Sequence, residues 1–308
     1  MRRVMVQLGA YVVRLRLLVS AGIAVASGAF CWFLLAHFHQ GAGDFNWALW
    51  LARDLLSHSD PYARPTQYYP LPAALFGLPL CWLPGAVAGG IFYGAGSGVM
   101  AFGLTRESYW RLLVFLAYPY WAGMLAAQWS PLLFACAFLP WLLPTVLAKP
   151  QIGLPVALTH LTRRGVIACV LVLACSFAIR PRWPLEWVAG LGTYDHFIPL
   201  LVWPGPLLLL ALLRWRDREH QFLLLMAAMP QRWFYDQLVL WIIPKSRREI
   251  LATVLCSWIP GVWRWYYTPH SFTQVGRWAV CFFYLPMLAV LLWRESRRRS
   301  LPARFMGF

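Results

Sequence analysis

Three observations predict an all-α polytopic membrane protein. Sixty per cent of the 308 residues are hydrophobic, mean hydropathy is +0.57, and only 12% are charged; a soluble domain carries roughly 45–50% apolar and 25% charged residues. The apolar runs are continuous, whereas a membrane strand needs alternation in roughly 10-residue units, so a helical bundle is favoured over a barrel. The runs also recur from end to end without a soluble appendage, a linker or an internal repeat, so residues 1–308 form a single integral membrane domain.

The elements follow in order. Leu17 to Phe38 is an uncharged stretch of about 22 residues, long enough to span a bilayer. Arginines 2, 3, 14 and 16 precede it and no small-x-small cleavage site is evident, which predicts a retained signal anchor with a cytoplasmic N-terminus. Residues 39–68 then form the first extracytoplasmic loop. Within it, FNWALWLARDLLS (45–57) has apolar positions at helical spacing with Arg53 and Asp54 on the opposing side, predicting an amphipathic helix lying in the interface. Further spans are predicted at 69–83, 86–104, 112–127, 166–179, 197–213, 250–263 and 278–293. Prolines 140, 144, 150 and 155 break 130–161, and Pro230 breaks 220–244. Both regions are expected as paired short or re-entrant helices, since a cavity or protein wall can re-satisfy the broken backbone. The total is about ten to twelve transmembrane or re-entrant helices.

The net charge of +16 does not imply nucleic acid. Seventeen of the 27 basic residues cluster between or beside spans, at the N-terminus and around 163, 214, 245 and 294. Such clusters fit the positive-inside rule and contact with lipid headgroups. The segments 39–68, 180–196, 230–236 and 264–277 then fall together on the other side, with most of the acidic residues. The seven cysteines lie in apolar runs without metal-ligand spacing and are expected to be small buried hydrophobes.

An ionisable group just past a lipid boundary is costly unless it faces water, a partner or a substrate. Asp44 sits there, and two roles suit it: a general base, or a cap for the helix that follows. Gln231-Arg232-Trp233-Phe234-Tyr235-Asp236 combines planar polar groups, an acid and aromatic faces, which suits a sugar site. There is no DxD, HExxH, Walker or GxSxG motif, so soluble-type nucleotide-sugar transfer, zinc proteolysis and ATP hydrolysis lack support.

Gly43-Asp44-Phe45, an interfacial helix, Asp60-Pro61-Tyr62, then Tyr68-Tyr69-Pro70 and a proline-rich span ending at Leu83-Pro84 resemble glycosyltransferase family 87. These are the polyprenol-phosphate-mannose-dependent mannosyltransferases among the GT-C membrane glycosyltransferases. Ala127-Gln128 is similar to the family's Gly-Gln element with alanine in place of glycine, and Lys149-Pro150 to its Lys-Pro element. Leu71 separates Pro70 from Pro72, where the family pattern runs two prolines together.

The resemblance implies a GT-C-like bundle and an inverting transfer of a mannose-like sugar from a polyprenyl-phosphate donor. The acceptor would be a lipid-linked or glycan molecule on the extracytoplasmic side of a bacterial inner membrane. It makes Asp44 the base. Arg180, Arg182, Lys149 and Arg232 are candidates for the donor phosphate, and Asp60, Tyr62, Tyr68, Tyr69, Gln128, Gln231, Trp233 and Asp236 for sugar or acceptor. It specifies no cofactor, leaving a divalent metal open. Two other classes compete: a transporter or flippase for a lipid-linked sugar, which would show paired repeats, and a non-catalytic membrane assembly partner, which would not need an acid at position 44.

Overall fold

The structure, a computed structural model, describes residues 2–64 and 67–300. These residues are predominantly helical, and the extended pairing among them is one isolated antiparallel bridge between Phe197 and Gln231. The longest helix, α1 (Arg2–His37), packs along α3 (Gly85–Leu104), with helix α2 (Asn46–Leu56) between them in sequence.

Small residues at four-residue spacing make the α1–α3 contact. Ser20, Ala24 and Gly28 face Gly90, Gly94 and Gly98, and a Cβ on Gly94 would stand 2.6 Å from the Ala24 carbonyl oxygen. In lipid, where tails are as apolar as leucine, such close backbone approach is what holds two helices together. The Tyr120 hydroxyl on α4 (Tyr118–Met124) adds polar contacts, lying 2.6 Å from Ser27 Oγ and 3.0 Å from Ser97 Oγ. Arg16 donates to the Phe102 carbonyl at 3.1 Å, so the first half of α1 runs past the end of α3.

By length and composition, three helical stretches can cross a membrane: Tyr11–His37, Gly85–Leu104 and Phe272–Arg297, the last called α11 below. A fourth is a broken pair, Arg163–Ile179 and Trp183–Gly190, bent by 91°. Large apolar side chains such as Leu18, Val25, Trp32 and Leu171 point outward, as expected of surfaces that meet lipid rather than water. An all-α membrane-compatible chain is therefore shown; of the ten to twelve transmembrane or re-entrant helices expected, three among the described residues are full-length. Proline is the physical reason, because it removes a donor and blocks helix propagation. The expected span 69–83 breaks into Leu71–Ala73, Ala74–Gly77 and Leu78–Leu80; 112–127 divides at Ala117, just ahead of Pro119 in the first turn of the next helix; and 197–213 contains two short 3-10 segments.

The proline-broken regions do form short helices: α5 (Ser130–Ala135), α6 (Pro150–Thr159), and the pieces Arg218–Ala228 and Asp236–Ile242. The pair following α6 is α7 (Arg163–Ile179) and α8 (Trp183–Gly190); α9 is Arg218–Ala228 and α10 is Arg247–Tyr266. Two further expectations are corrected. Asp54 does not share a polar face with Arg53: it is buried and gripped by both terminal nitrogens of Arg64, while Arg53 donates to the Cys81 carbonyl at 2.8 Å. Among the cysteines, Cys31, Cys81 and Cys136 are buried, but Cys175 and Cys281 face outward, because an apolar run in lipid need not face the core.

Loops gather at two ends. At one, the segments around 44, 68, 194, 232 and 272 touch: the Tyr68 and Tyr194 rings are 5.2 Å apart, and the Arg232 guanidinium lies 4.9 Å from the Tyr194 ring and 5.5 Å from Phe272. At the other end meet the loops near 105, 160, 217, 245 and 294; Arg111 Nη2 reaches the Pro244 carbonyl at 3.4 Å there.

Candidate active site

Gly43 sets the position of Asp44. Its φ is +58°, in the left-handed region, and a Cβ there would stand 2.5 Å from the Ala126 carbonyl oxygen. Glycine alone meets both demands. The close approach lets the Asp44 N–H donate to that same carbonyl at 2.8 Å, pinning the residue to the turn after α4. Ala127 in this turn also has positive φ, +43°. The resembled pattern has glycine at that position, and left-handed backbone gives the physical reason. The turn closes with Gln128 N–H on the Gly123 carbonyl at 3.0 Å and leaves Gln128 buried.

Asp44 does not cap α2, whose N-terminus has no side-chain cap. Its Oδ2 instead accepts from the Tyr69 hydroxyl and from Lys149 Nζ, the latter at 3.3 Å. Lys149 stands at the start of α6 and is buried. Its ammonium also donates to Gln128 Oε1 at 2.7 Å and lies 3.0 Å from Oδ1 of Asp236, which is buried too. Burial works against the ammonium, but Asp236 and then Asp44 outweigh it, so Lys149 titrates above the ordinary lysine range. The Arg232 backbone N–H holds the other Asp236 oxygen at 3.2 Å. Four segments far apart in sequence thus share one buried polar cluster: carboxylate, ammonium, amide and carboxylate, with a phenol at the edge.

Above this floor is a narrow cleft walled by Trp47, Tyr68, Tyr69, Gln151, Tyr194, Arg232 and Tyr235. Its free space is about 20 Å³, roughly one water. Arg232 lies along the aromatic wall, 6.0 Å from the Tyr68 ring, and its Nε has no hydrogen-bond partner among the described residues. The Gln151 amide reaches the Tyr194 hydroxyl at 3.5 Å.

The structure therefore brings together Asp44, Tyr68, Tyr69, Gln128, Lys149, Arg232 and Asp236. A second cluster adjoins it. Arg180 pairs with Asp60 at 2.7 Å and with Glu186 at 2.5 Å, lies 6.0 Å from the Tyr62 ring, and Tyr62 donates to the Tyr69 carbonyl at 3.4 Å. Arg180 is thus committed to two carboxylates. Arg182 is exposed, and its segment is not extended, since α8 begins at Trp183 with Pro184 in its first turn. Gln231 stands apart. It points inward, donating to the Met226 carbonyl at 2.7 Å and contacting the Tyr284 hydroxyl. Trp233 faces a separate opening beside His270 and Phe272, with Arg264 over its ring at 4.8 Å.

Sequence reasoning left out Trp47, Gln151, Tyr194 and Tyr235 as wall residues. Gln151 follows the Lys149-Pro150 element and Tyr235 sits inside the 231–236 cluster, so adjacency was a usable signal for those two. Tyr194 had none. Among the described residues, no group of three His, Cys, Asp or Glu side chains could hold a metal together; Lys149 occupies the space between the two carboxylates. Comparison with family models, curated proteins and solved structures finds no match to this chain.

Proposed function

We propose that this chain is a membrane glycosyltransferase of the GT-C type that moves a sugar, mannose-like by the resemblance of its motifs, from a polyprenyl-phosphate donor to a hydroxyl acceptor. The observation that carries the reading is the buried cluster of Asp44, Gln128, Lys149 and Asp236 beneath an aromatic cleft. Both contacts to Asp44 fall on Oδ2, leaving Oδ1 to accept an acceptor hydroxyl. Asp44 takes the hydroxyl proton and the freed oxygen pair attacks the anomeric carbon. The bond from that carbon to the phosphate oxygen breaks, and the polyprenyl phosphate leaves with the electron pair, inverting the configuration.

The leaving anion needs a cation with free donors. Lys149 is saturated by two acids and an amide, and Arg180 by two acids, so Arg232 takes this part: it lies on the cleft wall with Nε unpartnered. Lys149 instead sets the orientation and charge of Asp44. The reading places the cleft on the extracytoplasmic side of a bacterial inner membrane and the basic end in the cytoplasm. It counts the broken helices as re-entrant parts of a GT-C-like bundle of ten to twelve crossings.

The test is transfer from a synthetic polyprenyl-phosphate mannose by purified protein, across lipid-linked and glycan acceptors. Asp44→Asn should lower turnover by roughly 10²–10⁴ while folding and membrane insertion stay intact. Wild-type turnover in this variant at saturating donor would overturn the proposal.

A further inference from the structure

A cavity of about 560 Å³ lies at the end of the bundle away from the cleft. It forms where the C-terminal end of α6, the N-terminal ends of α9 and α10, and the last turns of α11 converge; His160, Arg218, His220, Lys245 and Arg294 lie in its wall. Helix α6 joins the two sites, with Lys149 at its start and His160 just past its end, about 15 Å apart at 1.5 Å per residue. Nothing in the proposed reaction uses this cavity.

Its acids are already engaged. Glu219 pairs with Arg294 at 2.5 Å and with Lys245 at 3.3 Å. Glu295 pairs with Arg214 at 2.7 Å. Asp217 caps α9, accepting from the Glu219 and His220 backbone N–H groups and standing 3.0 Å from His220 Nδ1. Glu249, just behind the wall, takes two bonds from Arg294 and the two backbone donors of Lys245 and Ser246.

The donors are not used up. Arg218 is exposed and makes no hydrogen bond or ion pair to a described residue. Lys245 has a single carboxylate partner and is half exposed. Buried His220 has its Nε2 without any partner. His160 stands beside the two cations: burial first, then Arg218 and Lys245, lower its pKa to about 4, against a bond to the Val156 carbonyl that raises it.

We infer that this cavity is a binding site for a phosphate-bearing anion, held by Arg218 and Lys245 with His220 beside them. With Glu219 and Glu295 paired to cations and Asp217 turned onto backbone N–H groups, the donors left over are those of Arg218, Lys245 and His220, and arginine and lysine together suit phosphate oxygens. The ligand is either the phosphate of an anionic lipid headgroup or a free phosphate compound. This site does not rest on the glycosyltransferase reading.

The test uses the purified full chain in neutral detergent at constant ionic strength. Inorganic phosphate is titrated calorimetrically, with chloride as control. In a second arm, phosphatidylglycerol retention is followed by native mass spectrometry, with and without phosphate. Wild type should bind at least one probe saturably. Arg218→Gln together with Lys245→Gln should weaken that binding at least about tenfold, since hydrogen bonds to charged groups are each worth that much. Phosphatidylglycerol that displaces phosphate identifies a headgroup site; phosphate binding untouched by the lipid identifies a soluble ligand. Arg218→Gln alone, at an exposed side chain without partners, keeps the fold intact and should still weaken binding severalfold. Equal affinity in wild type and the double variant, or no saturable binding of either probe, would overturn the inference.

Discussion

Replacing Lys149 by methionine removes the only cation between two carboxylates, and the structure sets how much that should cost. Asp236 is 1% exposed and would be left with just the Arg232 backbone N–H beside it; burial already raises its pKa against the pull of Lys149, so without the lysine it must either hold an unpaired charge or take up a proton. Breaking a buried pair from one side costs about 3–5 kcal/mol, because the remaining charge stays desolvated. Asp44 adds little, being 22% exposed and still bonded to Tyr69. Asp236→Asn should cost less, about 1–2 kcal/mol on the scale of one charged hydrogen bond, because Lys149 keeps Asp44 and Gln128. The double variant Lys149→Met, Asp236→Asn carries no buried charge at that site, and Asn can still accept the Arg232 N–H. It should be more stable than Lys149→Met alone by about 2 kcal/mol, the coupling typical of contacting groups. Denaturant unfolding in detergent gives all four corners of the cycle. A double variant no more stable than Lys149→Met alone would refute the claim that the lysine serves chiefly to neutralise Asp236.

Gly43→Ala puts a side chain into left-handed backbone and 2.5 Å from the Ala126 oxygen. Strain of about 1–2 kcal/mol plus overpacking of about 1–3 should show as lost stability. Its mirror is Ala127→Gly, which relieves a φ of +43° and should stabilise by about 0.5–1 kcal/mol net of chain entropy; thermal melting reads both, and a stabilised Gly43→Ala would contradict the geometry. At the basic end, Glu249 is held down to about 2, against 4.5 for a free glutamate: burial raises it, but the Arg294 and capping bonds prevail. A depressed acid contributes stability that is full above the unfolded value, so melting temperature should fall as pH drops from about 4.5 toward 2. Arg294→Gln should flatten that fall, and an unchanged acid limb would refute the assignment.

Much of the floor was legible because its residues violate the rule for their surroundings. An aspartate just past a long apolar run and an aspartate inside an aromatic run each invite a chemical reading, while Lys149 stands out through the resemblance of Lys149-Pro150 alone. Their mutual pairing was not legible: Lys149 and Asp44 are 105 residues apart, and no local pattern encodes such a contact. Gln231 shows the opposite failure. It pairs with Phe197 in an extended bridge, where neighbouring side chains face opposite ways, so Gln231 turns into the core while Arg232 reaches the cleft. Arg180 was read as a free cation because its partners Asp60 and Glu186 arrive from another loop and from the next helix. The GxxxG spacing of Gly90, Gly94 and Gly98 was present in the sequence but invisible to hydropathy, which counts apolar content and ignores size.

The two layers of the site are held by different forces, and that difference bears on how a sugar could enter. The floor is held by charge: Lys149 fixes Asp44, Gln128 and Asp236 within 3.3 Å in a buried setting, where moving one charge strands another. On the wall, the Arg232 and Tyr194 side chains meet by a ring contact at 4.9 Å and Tyr194 takes one long amide bond from Gln151, while the Trp187 indole donates to the Tyr68 carbonyl at 2.9 Å. Exposed cation–ring contacts are worth about 0.5–1 kcal/mol each, several-fold less than a buried ion pair. With room for about one water, the cleft must widen to admit a hexose. Widening by the Arg232 and Tyr194 side chains breaks weak contacts and leaves the base oriented, whereas widening at the floor would uncouple Asp44 from Lys149. For the proposed transfer, the aromatic wall therefore opens while the charged floor stays in place, keeping the Asp44 oxygens aligned as the acceptor arrives.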